Sequence, residues 1–325
     1  MINMTKEIIL SGIQPSGKLH IGNYLGALKN FVKLQDSHQC YFFIADYHSI
    51  TENYDPKTKQ QQIIELAKDF LAAGLDPTKC TIFIQSHVQQ HTELGWILNC
   101  VTPISYLERM TQYKDKAGRQ KENINIGLFD YPVLQAADIL MYKVTAVPVG
   151  KDQDQHVELT RQIAKFFNNR FGQTFIEPKT LHTEIPKVMS LLDPNKKMSK
   201  SLGDNHCIYL DDEPETINKK ISKAITDTGD GSSQGSKNLL ELVKIFGKKE
   251  VYQKLFSDSQ SGNLKYSELK KTLADDIEKY FSDFRKKKKE ISDKTIKNIL
   301  AEGAIKAQAT AENTMAEVRK KIGIR

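Results

Sequence analysis

A loop rich in proline and glycine carries the first residues whose types and spacing could do chemistry. It reads Ser11-Gly-Ile-Gln-Pro-Ser-Gly-Lys-Leu-His-Ile-Gly-Asn-Tyr-Leu-Gly-Ala27, and the pattern predicts that a helix begins near His20. Backbone N–H groups at a helix start attract anions, and glycines let a bulky ligand approach the backbone. His20 and Asn23 lie about one helical turn apart, so both can contact a phosphate. Taken alone, the same pattern also describes an ordinary strand–helix turn with a surface histidine.

A second loop concentrates lysines among small residues. It reads Lys196-Lys-Met-Ser-Lys-Ser201 and is followed by Leu202-Gly203, with no helical or strand periodicity. Lys197 and Lys200 could neutralise the charge that builds on a leaving pyrophosphate, a role that is strongest in the transition state. The alternative interpretation is a solvated basic loop.

The first part of the chain alternates strand and helix patterns around these loops. Short apolar runs at Glu7–Ser11, Cys40–Ala45 and Thr81–Gln85 predict strands, and apolar residues at helical spacing predict helices at Asn23–Lys33 and Pro56–Gly74. Strands that alternate with helices are typical of an α/β, Rossmann-like doubly wound parallel sheet. Ligands of such sheets bind at the carboxyl ends of the strands.

From about Pro214 onward the patterns are helical. Predicted helices cover 219–226, 239–246, 268–284, 293–305 and 311–322, and the Gly- and Ser-rich stretch 227–237 predicts a loop. The sequence therefore predicts a second, all-helical domain. Residues 211–325 hold 24 Lys and Arg against 19 Asp and Glu, or +5 of the net charge of +7, which suits a polyanion partner but equally a solvated surface. The run Arg285–Lys289 is most simply interpreted as a solvated helix end.

Both loops resemble the signatures of a known enzyme family. His20-Ile-Gly-Asn23 and Lys197-Met-Ser-Lys-Ser201 are similar, in order and separation, to the two signatures of class I aminoacyl-tRNA synthetases. Further segments resemble the bacterial tryptophanyl-tRNA synthetases: Gly12–Gly17, Gly22–Ala27, Glu108–Gln112, Tyr131-Pro132, Ala136–Leu140, Val147–Gly150 and Gln155-His156. The resemblance is close over residues 7 to about 228 and looser over the helical remainder.

This resemblance implies a ligase of protein biosynthesis that activates L-tryptophan with ATP and transfers it to tRNA(Trp). It implies that Lys200, Lys197, His20 and Lys116 are catalytic, and that the ATP carries the Mg²⁺, with no metal site on the protein. The implied ATP-binding residues are Gln14, His20, Gly22, Asn23, Gly150, Asp152, Lys197, Met198, Ser199, Lys200 and Ser201. The implied tryptophan-binding residues are Leu10, His48, Tyr131, Gln135, Asp138, Val147, Val149 and Gln153.

The tyrosyl-tRNA synthetases are the nearest alternative, because that family resembles this chain in its fold and in the aspartate at Asp138. The stretch Leu10–Pro15 lacks the tyrosine that usually ends the first strand of tyrosyl enzymes, which favours tryptophan. Gln135 departs from the methionine of the best-known tryptophanyl enzymes and is more typical of tyrosyl enzymes. Leu10 and Lys151 are two further departures, from phenylalanine and from an acidic residue.

The expected organisation is a catalytic Rossmann domain at 1–192, the lysine loop at 196–205, a helical anticodon-binding domain at 206–310 and a C-terminal helix at 311–325 that could return to the catalytic domain. The resemblance implies a homodimer formed through Gln90–Tyr113. No signal-peptide or membrane-span pattern is present, so the expected location is the cytoplasm, with no membrane or DNA partner. The four cysteines show no metal-site spacing and are expected to be buried. A small-molecule nucleotidyltransferase and a non-catalytic RNA-binding paralogue are the more distant alternatives.

Overall fold

The computed structural model describes residues 6–111, 124–150, 153–182, 186–226 and 233–324. Within them the chain forms two compact units. The first takes the described residues of Met1–Gly17, Asn30–Glu184 and Ser292–Arg325, and the second takes those of Lys18–Lys29 and Ile185–Ile291. Each unit is assembled from separate stretches of the chain. The domain boundaries expected at 192, 206 and 310 stay predictions.

A parallel β-sheet of five strands is the framework of the first unit. Its strands are β1 (Ile8–Ile13), β2 (Gln39–Ile44), β3 (Cys80–Ile84), β4 (Ala146–Val149) and β5 (Lys179–His182). They lie in the order β3-β2-β1-β4-β5, and every neighbouring pair is parallel. The predicted α/β fold with a doubly wound parallel sheet is confirmed. The strand order reverses beside β1, which is where such sheets bind ligands.

The helices are numbered along the chain. They are α1 (Ile21–Asn23), α2 (Lys29–Leu34), α3 (Asp46–Ser49), α4 (Pro56–Ala72), α5 (Gln90–Asn99), α6 (Ile104–Glu108), α7 (Ile126–Met141), α8 (Asp154–Phe171), α9 (Pro214–Ser222), α10 (Gln234–Phe246), α11 (Lys249–Gln260), α12 (Tyr266–Tyr280), α13 (Ser282–Glu290) and α14 (Asp293–Ile322). A π-helical turn, Tyr24–Leu28, joins α1 to α2. None of the helices in the described ranges is both long and apolar enough to cross a membrane.

The sheet's inner strands form because apolar side chains occupy both of their faces. In β2 every residue after Gln39 is buried, and Leu10 pairs in register with Tyr41. A strand that is covered on both faces reads as a continuous apolar run, which is why β1, β2 and β3 could be predicted. The sequence patterns predict neither β4 nor β5. Both have only four residues, and those of β5 are only partly buried or exposed.

The final helix differs from the prediction. Two segments were expected, at 293–305 and 311–322, but α14 is one helix of 30 residues that begins after the N-cap Ser292. Its small residues pack on the first unit's sheet: a Cβ on Gly303 would lie 1.8 Å from the Ile82 carbonyl oxygen. Ala307 and Ala311 are fully buried on the same helix. These small side chains allow α14 to approach the sheet closely.

The second unit is helical after residue 213, as predicted, with two differences in detail. The predicted helix 268–284 is divided at Phe281 into α12 and α13, and α11 was not predicted. The interpretation of Arg285–Lys289 as a solvated end is wrong in part. Arg285 is 8% exposed and donates to the Glu278 carbonyl, and Lys288 pairs with Asp211. The expectation that all cysteines are buried is wrong for Cys100, which is exposed.

Candidate active site

The carboxyl ends of the strands place polar residues at one edge of the sheet. Gln14 directly follows β1, His48 lies in α3 just after β2, Gln85 follows β3 and Gly150 follows β4. Of these, Gln14, His48 and Gly150 were predicted as site residues, and Gln85 was not. Because parallel strands end at the same edge, residues distant in sequence meet there.

Helix α7 presents three predicted amino-acid-binding residues on one face. Tyr131, Gln135 and Asp138 stand four and three residues apart, which places their side chains along the same side of the helix. Tyr131 and Gln135 are partly buried, and Asp138 is 1% exposed. The face becomes more buried from its first residue to its last.

Asp138 is the centre of a buried hydrogen-bonded cluster. Its Oδ2 accepts from Nε2 of His48 at 2.7 Å, and its Oδ1 accepts from Nδ1 of His91 at 2.5 Å. The side-chain amide of Gln85 donates to both oxygens, at 2.8 and 3.0 Å. All four residues are buried. His91 and Gln85 are absent from the predicted site, because their own sequence context gives no sign that they meet Asp138.

These donors keep Asp138 ionised. Burial disfavours the carboxylate, but the charges of His91 and His48 and the hydrogen bonds that both donate outweigh it. The pKa of Asp138 therefore lies below its usual range. At neutral pH the cluster holds an acceptor, as an N–H or O–H ligand requires.

Tyr131 contacts two histidines beside this cluster. Its hydroxyl lies 3.0 Å from Nε2 of His156, and its ring meets that of His48 edge-on with the centroids 6.3 Å apart. Burial, and to a lesser extent the charge of Glu52, raises the pKa of Tyr131 to about 12. The phenol therefore stays protonated at neutral pH and serves as a hydrogen-bond group, not as a base.

The other residues predicted for tryptophan binding belong to two environments. Leu10 and Val147 are buried within the apolar core of the first unit, at 3% and 4% exposure. Val149 and Gln153 are partly buried, and the backbone N–H of Gln153 donates to the Gly150 carbonyl. Leu10 and Val147 can contribute only apolar contact, and Val149 and Gln153 retain exposed surface for a ligand.

In the second unit, His20 is the N-cap of α1. Its Nδ1 accepts from the backbone N–H groups of Gly22 and Asn23, at 3.1 and 3.3 Å, and Oδ1 of Asn23 accepts from the His20 backbone N–H. A neutral imidazole that accepts at Nδ1 carries its proton on Nε2. His20 thus has one ring donor left for a ligand, and Asn23 uses its amide oxygen within the turn. A Cβ on Gly22 would lie 3.0 Å from the His20 ring, so the glycine also leaves room for the imidazole.

The two predicted signatures come together in this unit. Burial, together with the nearby charges of Lys200 and Lys197, lowers the pKa of His20 to about 4. His20 is therefore neutral at pH 7. Two ammonium groups beside a neutral imidazole donor form a site of positive charge suited to a phosphate chain.

The lysine loop is anchored at its start and centre. Its backbone N–H at Met198 donates to the Val188 carbonyl, and Lys197 forms a β-bridge with Met189. Met198 is 3% exposed, so this predicted ATP-binding residue is an apolar anchor of the loop. Ser199 and Ser201 share a hydrogen bond of 2.9 Å between their hydroxyls. The anchors fix the loop's backbone and leave Lys197 exposed.

A buried lysine that the sequence did not indicate holds the end of this loop. Lys220 is 3% exposed, and its Nζ lies 2.9 Å from Asp212 and 3.3 Å from the loop residue Asp204. The same ammonium lies 4.5 Å from the centroid of the Tyr209 ring. Tyr209 forms a β-bridge with His20, so one buried charge supports both signatures.

Two of the predicted site residues, Lys116 and Asp152, lie outside the described residues. The same holds for Lys151, where the chain departs from the family's usual acidic residue. No group of three or more His, Cys, Asp or Glu side chains in the described ranges could hold a metal ion.

Comparison with known proteins identifies the family. The family model of class I tRNA synthetases specific for tryptophan and tyrosine matches residues 3–282. The chain belongs to this class I synthetase family. A tryptophan–tRNA ligase of Caldanaerobacter subterraneus is 45% identical over 97% of this chain and 98% of its own length. The corresponding ligase of Rickettsia conorii is 44% identical over 98% of this chain and 99% of its own length.

A solved structure of the same synthetase family has the same fold throughout. The tryptophanyl-tRNA synthetase of Campylobacter jejuni, crystallised with ADP and tryptophan, superimposes with a TM-score of 0.87 at 38% identity. The alignment covers 97% of this chain and 99% of that one. The resemblance of residues 7 to 228 thus extends over nearly the full length.

Proposed function

We propose that this chain is a tryptophan–tRNA ligase, which activates L-tryptophan with ATP and transfers it to tRNA(Trp). The observation that carries the proposal is the ionised, buried carboxylate of Asp138 on a face shared with Tyr131 and Gln135. A carboxylate held in this way accepts the N–H of an indole ring. The names of the two relatives at 44–45% identity support tryptophan over tyrosine as the substrate.

The first step joins the two small substrates. The tryptophan carboxylate attacks the α-phosphorus of ATP in line, and the bond from that phosphorus to the bridging oxygen of pyrophosphate breaks. The products are tryptophanyl-adenylate and pyrophosphate. Such a displacement needs little acid–base chemistry, so the protein contributes positioning and charge neutralisation.

The second unit supplies charge for the triphosphate. We assign Nε2–H of His20 and the ammonium groups of Lys197 and Lys200 to phosphate oxygens, since the three groups lie near one another. The Mg²⁺ enters with ATP as part of the substrate. Gln14, Gly22, Asn23, Gly150, Met198, Ser199 and Ser201 remain proposed ATP contacts by family likeness, as do Lys116 and Asp152 outside the described residues.

The first unit supplies the amino-acid selectivity. Asp138 would accept the indole N–H, and His48, Tyr131, Gln135 and Gln153 would contact the remaining polar groups or the ring. Leu10, Val147 and Val149 would give apolar contact. A phenylalanine ring lacks the donor, so its binding would leave a buried carboxylate without its partner, and such a site refuses it strongly.

The second step transfers the tryptophanyl group to the terminal adenosine of the tRNA, at the 2′-hydroxyl by family likeness. The helices of the second unit are the proposed anticodon-binding part. A shallow recess of about 620 Å³ there is lined by Asn218, Lys219, Ser222, Tyr266, Ser267, Lys270 and Lys271, which include three lysines and one aromatic ring. Lysines on phosphates and an aromatic platform for a base are the usual elements of single-stranded RNA recognition.

We also propose a cytoplasmic homodimer. Three large apolar side chains of α5, α6 and α7 are exposed in the first unit: Trp96 at 72%, Ile104 at 66% and Ile126 at 79%. Contiguous apolar patches mark interaction surfaces, and we propose that these three side chains belong to one such patch. Trp96 is the chain's one tryptophan, so a concentration-dependent blue shift of its fluorescence, measured without substrate, reports the association. A Trp96→Asp variant that stayed dimeric by light scattering would place the interface elsewhere.

The test of the function is ATP–pyrophosphate exchange with the purified full chain and Mg²⁺, offering tryptophan, tyrosine and phenylalanine separately. Exchange with tryptophan alone is expected. Exchange with tyrosine instead would establish the tyrosyl alternative, and Gln135 would then be the residue to examine. Absence of exchange with all three, with and without tRNA, would leave a non-catalytic RNA-binding protein or a nucleotidyltransferase of another substrate.

A further inference from the structure

The carboxylate of Asp138 receives hydrogen bonds from three directions, and only one of the donors was expected. His48 comes from α3, His91 from α5, and Gln85 from the turn after β3. His91 and Gln85 are each 0% exposed. Side chains this deeply buried do not contact solvent, and each of them donates a hydrogen bond to Asp138.

His91 makes a contact at each of its two ring nitrogens. Its Nε2 lies 3.0 Å from the hydroxyl of Tyr142, a residue that is 1% exposed. Burial, with the charge of Asp138, raises the pKa of Tyr142 well above its usual range, so the phenol keeps its proton. Nδ1 of His91 faces the carboxylate of Asp138, which can only accept, so the imidazole carries a proton on Nδ1 and donates it there.

The carboxylate of Asp138 already accepts four contacts, one from each histidine and two from the Gln85 amide. Since a carboxylate accepts about four hydrogen bonds, a ligand N–H must share an oxygen with one of these donors. The amide of Gln85 must turn its NH₂ toward the carboxylate, because its oxygen would be repelled. Its Oε1 consequently points away and, although buried, has no hydrogen-bond partner among the described residues. The cluster thus holds donors fixed in place and keeps acceptor capacity that is not used.

We propose that His91 and Gln85 are positioning residues that hold Asp138 as an acceptor for the substrate's ring N–H and thereby set the selectivity for it. This inference rests on the proposed function, since it concerns the same amino-acid site. Neither residue touches the reacting atoms. Without their N–H groups the carboxylate would be free to turn or to take up a proton, and a protonated acid no longer requires a donor from the ligand.

The experiment measures how strongly the enzyme discriminates between a substrate that has the ring N–H and one that lacks it. The kcat/KM in ATP–pyrophosphate exchange is compared for tryptophan and for 3-benzothienylalanine, in which a sulfur atom replaces the ring N–H. Two variants share a Tyr142→Phe background, so that no tyrosine hydroxyl is left unpaired: His91→Asn and His91→Leu. The side-chain amide of asparagine occupies about the place of imidazole Nδ1, so only the first variant keeps the donor to Asp138. Gln85→Met is the third variant.

The expected result is that discrimination between the two amino acids is lost only in the variants that lack a donor to Asp138. His91→Leu and Gln85→Met lower the ratio of the two kcat/KM values about tenfold, as for one buried hydrogen bond, whereas His91→Asn keeps it within about threefold. The KM for ATP stays unchanged in all of them. Equal losses for both amino acids, with the ratio preserved, would mean that His91 and Gln85 only stabilise the fold and would overturn the inference.

The wild-type protein separates this inference from the function on which it rests. If the wild type does not activate tryptophan, the proposed function fails before any variant is compared. If it activates both amino acids equally, Asp138 does not recognise the ring N–H and the proposed positioning role is wrong, although the ligase activity is confirmed. Unfolding curves of the His91→Asn and His91→Leu proteins show whether both are folded at the assay temperature.

Discussion

The cluster around Asp138 and the lysine loop around Lys200 differ in burial and in how their charges are paired. The cluster is buried, and its three donor groups are already bonded to Asp138 before a ligand arrives. The loop exposes Lys197, and the pKa of His20 is lowered by burial and by the charges of Lys200 and Lys197. The two like charges disfavour each other until an anion enters.

Under the proposed function, selectivity and rate are divided between these two regions. A residue that discriminates between similar ligand rings must be held rigidly before the ligand binds, which requires a buried network of hydrogen bonds. A residue that neutralises charge in the transition state must keep its charge for that moment. Substitutions in the cluster should therefore act on stability and selectivity, and those in the loop should act on rate.

The largest effect is expected for Asp138→Asn. It removes the charge that compensates two histidines and puts an amide NH₂ against N–H donors, and breaking a buried ionic cluster in this way costs about 3–5 kcal/mol of unfolding free energy. Urea unfolding measures the loss. The control is Asp36→Asn, which breaks the exposed pair with Lys79 and should change little. Equal stability of the two variants would mean that the cluster is not a preorganised unit.

Lys200→Met should leave the fold intact and slow the chemistry. Loss of one electrostatic stabiliser of the leaving group lowers kcat by roughly 10²–10³-fold in ATP–pyrophosphate exchange, while the unfolding free energy changes by less than about 1 kcal/mol. Lys196→Met is the matched control, because Lys196 lies in the same loop and pairs with Asp193 at the surface. A comparable loss in the control would assign the effect to the loop's overall charge.

His20 allows its two ring nitrogens to be tested separately. His20→Asn keeps an N-cap acceptor and removes the Nε2 donor, so we expect roughly a 10²-fold lower kcat with stability close to wild type. His20→Ala also removes the cap and costs a further ~1 kcal/mol of unfolding free energy. Should both variants lose stability equally, Nδ1 would not be the cap acceptor in solution.

The lowered pKa of His20 also predicts a pH dependence. Between the ordinary value of 6.5 and the folded value of about 4, the unfolded chain binds a proton that the folded chain does not. Stability is therefore lost as the pH falls through this window, by up to about 3 kcal/mol, and the loss is complete below it. Urea unfolding at pH 7 and pH 4.5 should show a smaller difference in His20→Asn than in the wild type. An unchanged difference would assign the acid sensitivity to other groups.

The smallest effect is expected at Asp204. Its side chain is 68% exposed, so its pair with Lys220 contributes at most about 1 kcal/mol to the unfolding free energy. Asp212→Asn removes the buried partner of the same lysine and should cost more. If Asp204→Asn were the more destabilising, the loop end rather than the interior would hold Lys220 in place.

Much of the fold could be predicted because its elements have strong local patterns. The apolar runs of β1 to β3 and the capped helix α4 are of this kind, with Asp55 as the N-cap and Gly74 at φ +111° after the end. Short elements could not be predicted. The four-residue strand β4 exists because β1 offers it an edge to pair with, β5 pairs in turn with β4, and no four-residue pattern shows such an edge.

The sequence by itself determined the family, the two signatures and the chemistry they serve, because these depend on residue types at short, fixed spacings. The resemblance also implied that Asp138, Tyr131 and Gln135 bind the amino acid, but the helix that places the three on one face was not predicted. Only the tertiary structure decided what surrounds that carboxylate. Gln85 and His91 lie 53 and 47 residues before Asp138 along the chain, and parallel strands with their helices bring them together. Likewise Lys220 is one of many lysines in the sequence until the fold buries it against Asp212. Local patterns record which elements form, whereas a buried hydrogen bond between distant residues depends on how those elements pack.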